Sequence, residues 1–212
     1  MENKIIKILT KVGAILPNSH FVGTSGRHFD TYLTKDALFP HTAETSEICK
    51  FFAEKTKHLE MDIVAAPALG GLIFSQWIAY HLSQLKGKEI LAVFTEKTSD
   101  NNQILTRGYN KLVQGKKVLA IEDFTTTGGS VKRVVDSVKK AGGNVIGVCV
   151  MINKDPVNVN SKLFGVPFTA LADLVVKNYN PDDCPLCRKE IPINTTFGHG
   201  KKFLESKKQK EL

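Results

Sequence analysis

At 212 residues, 42% hydrophobic and 24% charged, the chain can bury a full core and belongs with ordinary globular proteins rather than disordered or fibrous ones. No apolar run reaches the length of a membrane span, and four cysteines in a chain this long exclude a disulfide scaffold, so a reducing cytoplasm is the expected compartment. The net charge of +8 favours anionic partners, either phosphorylated small molecules or nucleic acid.

In chain order, Ile5, Ile6, Leu9, Val12, Ile15 and Leu16 recur at helical spacing and predict an amphipathic helix over residues 3–16, ended by Pro17-Asn18. Met1 to Lys7 lacks the apolar centre and cleavage site of a signal peptide. Phe21 to Tyr32 is strand-like but broken by Gly23 and Gly26, which suits an edge or hood element better than a central strand. A helix is expected over Thr42–Leu59 with Ile48, Phe51, Phe52 and Leu59 inward. A buried strand follows at Met61–Ala66, then Pro67-Ala68-Leu69-Gly70-Gly71, then a helix over Leu72–Leu85 broken by Gly87. Ile90–Phe94 reads as another strand.

Thr95 to Val113 has little apolar content and no sustained period, so a long loop or mobile hairpin is expected, of the kind that usually carries function. Val118 to Ile121 is a short buried strand with Glu122 and Asp123 at its end. A turn rich in Thr and Gly, Thr125 to Ser130, leads into a helix over Ser130–Ala141 with Val131, Val134, Val135 and Val138 inward and Gly142-Gly143 at its end. Strands at Val145–Ile152 and Phe168–Leu174 complete a strand–helix alternation that predicts a parallel α/β sheet. The Lys-rich end, 201–212, reads as a solvated basic tail without the aromatic-basic interleaving of a nucleic-acid surface.

The stretch Val118–Val131 carries the most chemistry. The backbone N–H groups of Thr126, Thr127, Gly128, Gly129 and Ser130 can converge on a phosphate at a helix start, with glycines allowing close approach. Glu122 and Asp123 can accept hydrogen bonds from a pair of vicinal hydroxyls. Two acids beside a phosphate cradle require a ligand offering both phosphate and hydroxyls, or a bound cation. Arg27 and Lys35 flank the N-terminal strand and offer cations to a carboxylated ligand, and His28 is either a pocket residue or a packed surface residue. Cys184-Pro-Leu-Cys187 has knuckle spacing with His199 downstream as a third donor. Alone, that spacing leaves the pair as reduced thiols, with zinc the alternative. Cys49 and Cys149 sit in apolar patterns and read as core.

Four apolar residues, two acids, a threonine-rich turn and glycines resemble the phosphoribosyl-diphosphate (PRPP) signature of type I phosphoribosyltransferases, and within them the chain looks most like the orotate phosphoribosyltransferases. Phe21-Val22-Gly23-Thr24-Ser25-Gly26-Arg27-His28 resembles that family's F-x-x-x-S-G strand, Pro67 to Gly71 its diphosphate loop, and Asn180 to Cys187 with Ile191-Pro192 a Cys-Pro-x-Cys tail found in one branch. The resemblance implies a parallel-sheet type I phosphoribosyltransferase fold with an N-terminal hood. It implies one domain over 1–200, with the hood at about 1–40, the core at about 41–176 and a Cys-containing tail at about 177–200. The implied activity is that of a pentosyltransferase, EC 2.4.2.10, joining orotate to PRPP in pyrimidine biosynthesis.

By the same resemblance, Glu122, Asp123, Lys97 and Arg107 are catalytic, and 126–130 hold the 5′-phosphate. Ala68, Leu69, Gly70 and Gly71 hold the diphosphate, and Thr24, Ser25, Arg27 and Lys154 contact the base. Mg²⁺ is expected as cofactor, bound mainly through PRPP, in a cytoplasmic homodimer. The chain departs from the family pattern in three places. The diphosphate loop has no lysine, the loop 95–109 has no histidine, and Lys154 stands where the family often has an arginine. Transfer to a purine or to uracil, or a non-catalytic PRPP-binding regulator that binds nucleic acid, are the alternatives.

Overall fold

A computed structural model of the chain describes residues 1–23 and 25–210. In order come α1 (Glu2–Lys11), β1 (Ile15–Leu16), β2 (Phe21–Val22), β3 (His28–Phe29), β4 (Tyr32–Leu33), α2 (Thr42–Thr56), β5 (Ile63–Pro67), α3 (Gly70–Lys86), β6 (Leu91–Lys97) and β7 (Gln103–Ile104). They are followed by α4 (Tyr109–Leu112), β8 (Lys117–Thr125), α5 (Gly129–Lys140), β9 (Asn144–Asn153), α6 (Ser161–Phe164) and β10 (Phe168–Asp173). The chain closes with β11 (Asn178–Tyr179), a 3₁₀ turn (Pro181–Asp183), α7 (Pro185–Arg188) and α8 (Gly200–Lys210). These elements divide between two compact units, Met1–Ile8 with Leu38–Val175, and Leu9–Ala37 with Val176–Leu212.

The first unit is built on a six-stranded sheet in the order β10-β9-β8-β5-β6-β7. Every pairing is parallel except that of the short β7 with β6. The predicted α/β class with a parallel sheet holds. Strand residues alternate faces. On one face Ile63, Ala65, Val118, Ala120, Val148 and Val150 pack with Val131, Val134, Val135 and Val138, the apolar stripe expected for α5. On the opposite face, α3 approaches so closely that a Cβ on Gly71 would lie 2.6 Å from Ala66 Cβ. Phe52 of α2 and Phe74 of α3 meet with ring centroids 6.0 Å apart. Covered on both faces, the central strands can be almost wholly apolar.

Several boundaries differ from expectation. Ile15 and Leu16 leave the first helix and pair as β1 with β4. Helix α2 ends at Thr56, with Ile48 and Phe52 fully buried and Phe51 and Leu59 only half-buried. The acids Glu122 and Asp123 lie inside β8 rather than beyond it, because pairing with β9 continues to Thr125↔Asn153. Of the two forms expected for the segment from Thr95, a long loop or a hairpin, the chain takes the hairpin: β6 extends to Lys97 and turns back as β7, with Lys97 opposite Gln103.

In the second unit, Phe21 to Tyr32 is three short strands rather than one. A turn closed by Gly23 N–H donating to the Arg27 carbonyl (2.9 Å) separates β2 from β3, and β11 joins them in the order β11-β3-β2. The Lys-rich end is helical through Lys210, as α8. Thr24, Glu211 and Leu212 lie outside the described residues.

Helix α3 can dock only if residue 71 lacks a side chain. Gly71→Ala should lower unfolding stability by about 1–3 kcal/mol, the usual cost of overpacking, as read by urea titration. An unchanged midpoint would contradict this packing.

Candidate active site at a strand switch point

The sheet order places a topological break between β5 and β8. From β5 the chain crosses to β6 on one side, whereas β8 leads to β9 on the other. Loops leaving the carboxyl ends of these two strands therefore diverge and leave a crevice, the position at which open α/β sheets bind ligands. The last parallel pair is Ala65↔Ala120. Two residues further along, that register sets Pro67 level with Glu122, so the segment 67–71 and the acid–glycine segment 122–130 are brought together from distant parts of the chain.

The acids are 6% and 8% exposed, a costly placement for carboxylates. Their oxygens turn back onto the strand, Glu122 Oε1 accepting from Asp123 N–H (3.0 Å) and Asp123 Oδ1 from Phe124 N–H (2.5 Å). Being consecutive strand residues, they start from opposite faces of β8 and are not interchangeable.

Beyond β8 the turn is set by hydroxyls. Thr125 Oγ1 accepts from Gly128 N–H (2.9 Å), and Thr127 Oγ1 from Gly129 N–H (3.4 Å). Gly128 has φ +74° and is the N-cap of α5; a Cβ there would lie 2.5 Å from Leu163 Cδ2 and 3.0 Å from Phe164 Cζ. Thr126, Thr127 and Ser130 are exposed at the start of this helix, where N–H groups and the helix dipole favour an anion.

Across the crevice, Ala68 N–H donates to the Thr95 carbonyl (2.8 Å). The Ala68–Leu69 peptide is cis, Leu69 is 84% exposed, and Gly70 and Gly71 begin α3. With no side-chain cation in this loop, backbone N–H groups are its anion donors. On the β9 side Lys154 N–H donates to the Thr125 carbonyl (2.8 Å), and its Nζ lies 5.3 Å from the centre of the Phe124 ring. Lys154 thus belongs to the same strand-end cluster as the acids. A separate groove of about 460 Å³, lined in part by Glu2, Lys55 and Asp173, runs beside β10 and contains none of the acid–glycine residues.

A phosphoribosyl transferase domain model matches residues 35–162, which contain this entire strand-end cluster. The chain is 36% identical over 192 residues to the orotate phosphoribosyltransferase of Caldanaerobacter subterraneus subsp. tengcongensis, covering 91% of this chain and 95% of that protein. The chain belongs to the orotate phosphoribosyltransferase family. The orotate phosphoribosyltransferase of Thermotoga maritima is 34% identical over 198 residues, 93% of this chain and all of that one. Among solved structures, Mycobacterium tuberculosis orotate phosphoribosyltransferase in complex with PRPP shares the fold at a TM-score of 0.63 and 20% identity, over 81% of this chain and 94% of that one.

Within this family member, the loop expected to carry Lys97 and Arg107 is a hairpin held by Glu96. Lys97 is exposed at the end of β6. Glu96 Oε1 accepts from Arg107 Nε and ion-pairs with Nη2, both at 2.8 Å, while Oε2 accepts from Thr106 Oγ1 at 2.7 Å. The hydrogen bond from Thr106 and then that from Arg107 hold the Glu96 carboxyl below its usual range. Here Arg107 is tied to its own hairpin, so any action on a ligand requires it to exchange Glu96 for that ligand.

In the second unit, Ser25 is exposed, and Arg27 forks onto Asn178 Oδ1 and Asn180 Oδ1 (3.0 Å for the latter). Thr24 lies outside the described residues. Cys49 and Cys149 are fully buried, and burial pushes both thiols up, as expected of core cysteines. His199, expected as a third metal donor, is not in the cluster that gathers around Cys184 and Cys187; His20 and His28 are. Burial and then the neighbouring His20 lower the His28 pKa, and burial and then Cys184 raise the Cys187 thiol. His28 is buried rather than a surface residue. His20 stands in no motif of the sequence; it joins the cluster because it lies two residues before Val22, which pairs with His28.

Glu96→Gln removes the charge that holds Arg107, so limited trypsin digestion should cut after Arg107 several-fold faster than in the wild type. Equal cleavage rates would show that the tether does not order the hairpin.

Proposed function

We propose that this chain catalyses the transfer of the 5-phosphoribosyl group of PRPP to orotate, giving orotidine 5′-monophosphate and diphosphate in pyrimidine biosynthesis. The observation that carries the proposal is the pairing of two buried carboxylates with a glycine turn at one end of β8, facing a cation-free amide loop at the end of β5. PRPP offers groups for all three: a 5′-phosphate, ribose hydroxyls and a diphosphate.

In this reading, N–H groups and hydroxyls of Thr126, Thr127 and Ser130 hold the 5′-phosphate, and Gly128 and Gly129, whose N–H groups shape the turn, let it approach the backbone closely. Glu122 and Asp123 accept from the ribose hydroxyls, and the segment Ala68-Leu69-Gly70-Gly71 holds the diphosphate through the amides of Leu69, Gly70 and Gly71, that of Ala68 being donated to the Thr95 carbonyl. An orotate ring nitrogen forms its bond to ribose C1 as the bond from C1 to the diphosphate oxygen breaks, and the diphosphate leaves with that electron pair. The ribose becomes cationic on the way, so two fixed carboxylates beside it stabilise the charge that develops, and catalysis is chiefly placement and electrostatics. Lys97 and Arg107 add positive charge to the departing diphosphate once Arg107 releases Glu96, and the closed hairpin excludes water.

Lys154 gives the base carboxylate a cation, though without the two-pronged donor of an arginine. Assignment of Ser25, Arg27 and Thr24 to the base rests on the F-x-x-x-S-G resemblance. Glu122 and Asp123 are hard oxygen donors of the kind Mg²⁺ takes, with most of its shell coming from substrate oxygens and water. That ion supplies charge neutralisation on the leaving diphosphate. The reading extends to a cytoplasmic homodimer, as the family resemblance implies. Among the described residues no helix is long and apolar enough to cross a membrane.

Asp123→Asn should lower kcat by about 10²–10³-fold, the range for removing one preorganised electrostatic contact, with an unchanged circular dichroism spectrum and melting temperature. Near-wild-type turnover would sink the role of Asp123. Initial rates with orotate, uracil and hypoxanthine, each with PRPP and Mg²⁺, should show turnover with orotate alone. Lys154→Ala should raise the KM for orotate about tenfold or more while leaving that for PRPP within about twofold, the size of one charge-assisted contact. A rise confined to PRPP would move Lys154 to the sugar donor.

A further inference from the structure

The cluster in the second unit lies outside everything the transferase reading uses. Four side chains from opposite ends of the sequence converge there: His20, His28, Cys184 and Cys187, whose donor atoms all lie within 4.8 Å of one another. The convergence follows from local geometry. Val22 pairs with His28 across the β2–β3 hairpin, so His20, two residues before Val22, shares that face and is the diagonal neighbour of His28. Tyr179 of β11 pairs with His28 from the other side and delivers the chain to Cys184. Cys184 is the N-cap of α7 and Cys187 lies in its single turn, so the two thiols face the same side.

The spacings suit a shared ion. His20 Nε2 lies 2.8 Å from His28 Nδ1, and Cys187 Sγ lies 3.3 Å from the same His28 nitrogen. Both sulfurs are 3.8 Å from His20 Nε2. A tetrahedral zinc with bonds of about 2.0–2.3 Å separates its donors by roughly 3.3–3.8 Å. Of these four donor pairs, three fall there and the His20–His28 pair must open by about half an ångström; the other two of the six pairs lie within 4.8 Å.

The outer contact is also in place. His20 Nδ1 lies 2.7 Å from the Ile191 carbonyl. A carbonyl only accepts, so Nδ1 carries the proton and the Nε2 lone pair points at the cluster, the arrangement that orients metal-bound histidines. His28 is fully buried, its Nε2 has no hydrogen-bond partner among the described residues, and its ring stands edge-to-face on Phe203 of α8. Its Nδ1 is therefore the nitrogen committed to the cluster.

We propose that His20, His28, Cys184 and Cys187 bind one Zn²⁺ ion that ties the β2–β3 hairpin to the Cys-Pro-Leu-Cys turn. Two imidazoles and two thiolates form a closed tetrahedral set with no position left for a substrate, which makes the site structural. Its need is physical. A unit of about 66 residues lies below the roughly 70–80 residues at which a hydrophobic core suffices alone, and such units commonly use a metal or disulfides as staples. Cys187 is exposed while its three companions are buried, which gives the ion and a chelator a way in.

The test is the metal content of the full-length protein, purified in reductant and measured by inductively coupled plasma mass spectrometry. One zinc per chain is expected, lost in Cys184→Ser and in His20→Ala and kept in His199→Ala, which lies outside the cluster. Should the ligand variants fail to fold, the wild-type protein decides. Chelator treatment should lower its melting temperature reversibly, and Co²⁺ added to the stripped protein should give the visible bands of tetrahedral cobalt with a thiolate charge-transfer band. Protein that contains no zinc and takes up neither Zn²⁺ nor Co²⁺ would overturn the proposal. An octahedral cobalt spectrum without the thiolate band, or zinc retained in Cys184→Ser, would do the same.

Discussion

Parallel pairing of β5 with β8, followed by the divergence of their connections, is the constraint on which the rest of the first unit depends. The strands share the register Ile63↔Val118 to Ala65↔Ala120, and their carboxyl ends finish side by side while the chain leaves them in opposite directions. Neither loop can fill the gap between them. Each ends in a glycine-bearing helix start, Gly70-Gly71 for α3 and Gly128-Gly129 for α5, so two sets of backbone N–H groups border the crevice with carboxylates between them. A doubly anionic ligand with hydroxyls in its middle matches that order of charges.

Tight packing keeps the crevice walls in place. Residue 71 has no room for a side chain against Ala66, and residue 128 combines a left-handed φ with close approach to Leu163 and Phe164. Both glycines lie where the segments proposed to bind phosphate meet the core, so core packing, together with the Thr125 and Thr127 hydroxyls, fixes the backbone that would hold the ligand. The hairpin of β6 and β7 contrasts with this. Beyond the short β6–β7 ladder, Thr106 and Arg107 are tied to the single half-buried carboxylate of Glu96, and an ion pair to an arginine as exposed as Arg107 is worth little. Such a contact is easily exchanged, as a cover that opens and closes requires.

Local periodicity made much of this legible in the sequence. The four valines of α5 recur at helical spacing and are the four that the structure buries. The strand–helix alternation predicted the parallel sheet, and the acid–glycine motif located the crevice. What escaped depends on pairing between distant residues. Nothing near Glu122 and Asp123 says that β8 continues through them, since β9 supplies those partners. Arg107 looked available because its tether, Glu96, lies on the preceding strand. The four-residue cluster was harder still, because His20 and Cys184 are 164 positions apart and only a hairpin register sets the two histidines on one face. His199 was the natural candidate by proximity in sequence, and proximity in sequence is a poor guide to a ligand set assembled by a sheet.

The most direct test of the account is a crystal structure of the protein with PRPP and Mg²⁺. The 5′-phosphate should rest on the turn of residues 126–130, the ribose hydroxyls should contact Glu122 and Asp123, and the diphosphate should lie along residues 68–71. PRPP bound elsewhere, for example in the groove beside β10, with the β5–β8 crevice holding only water, would contradict it.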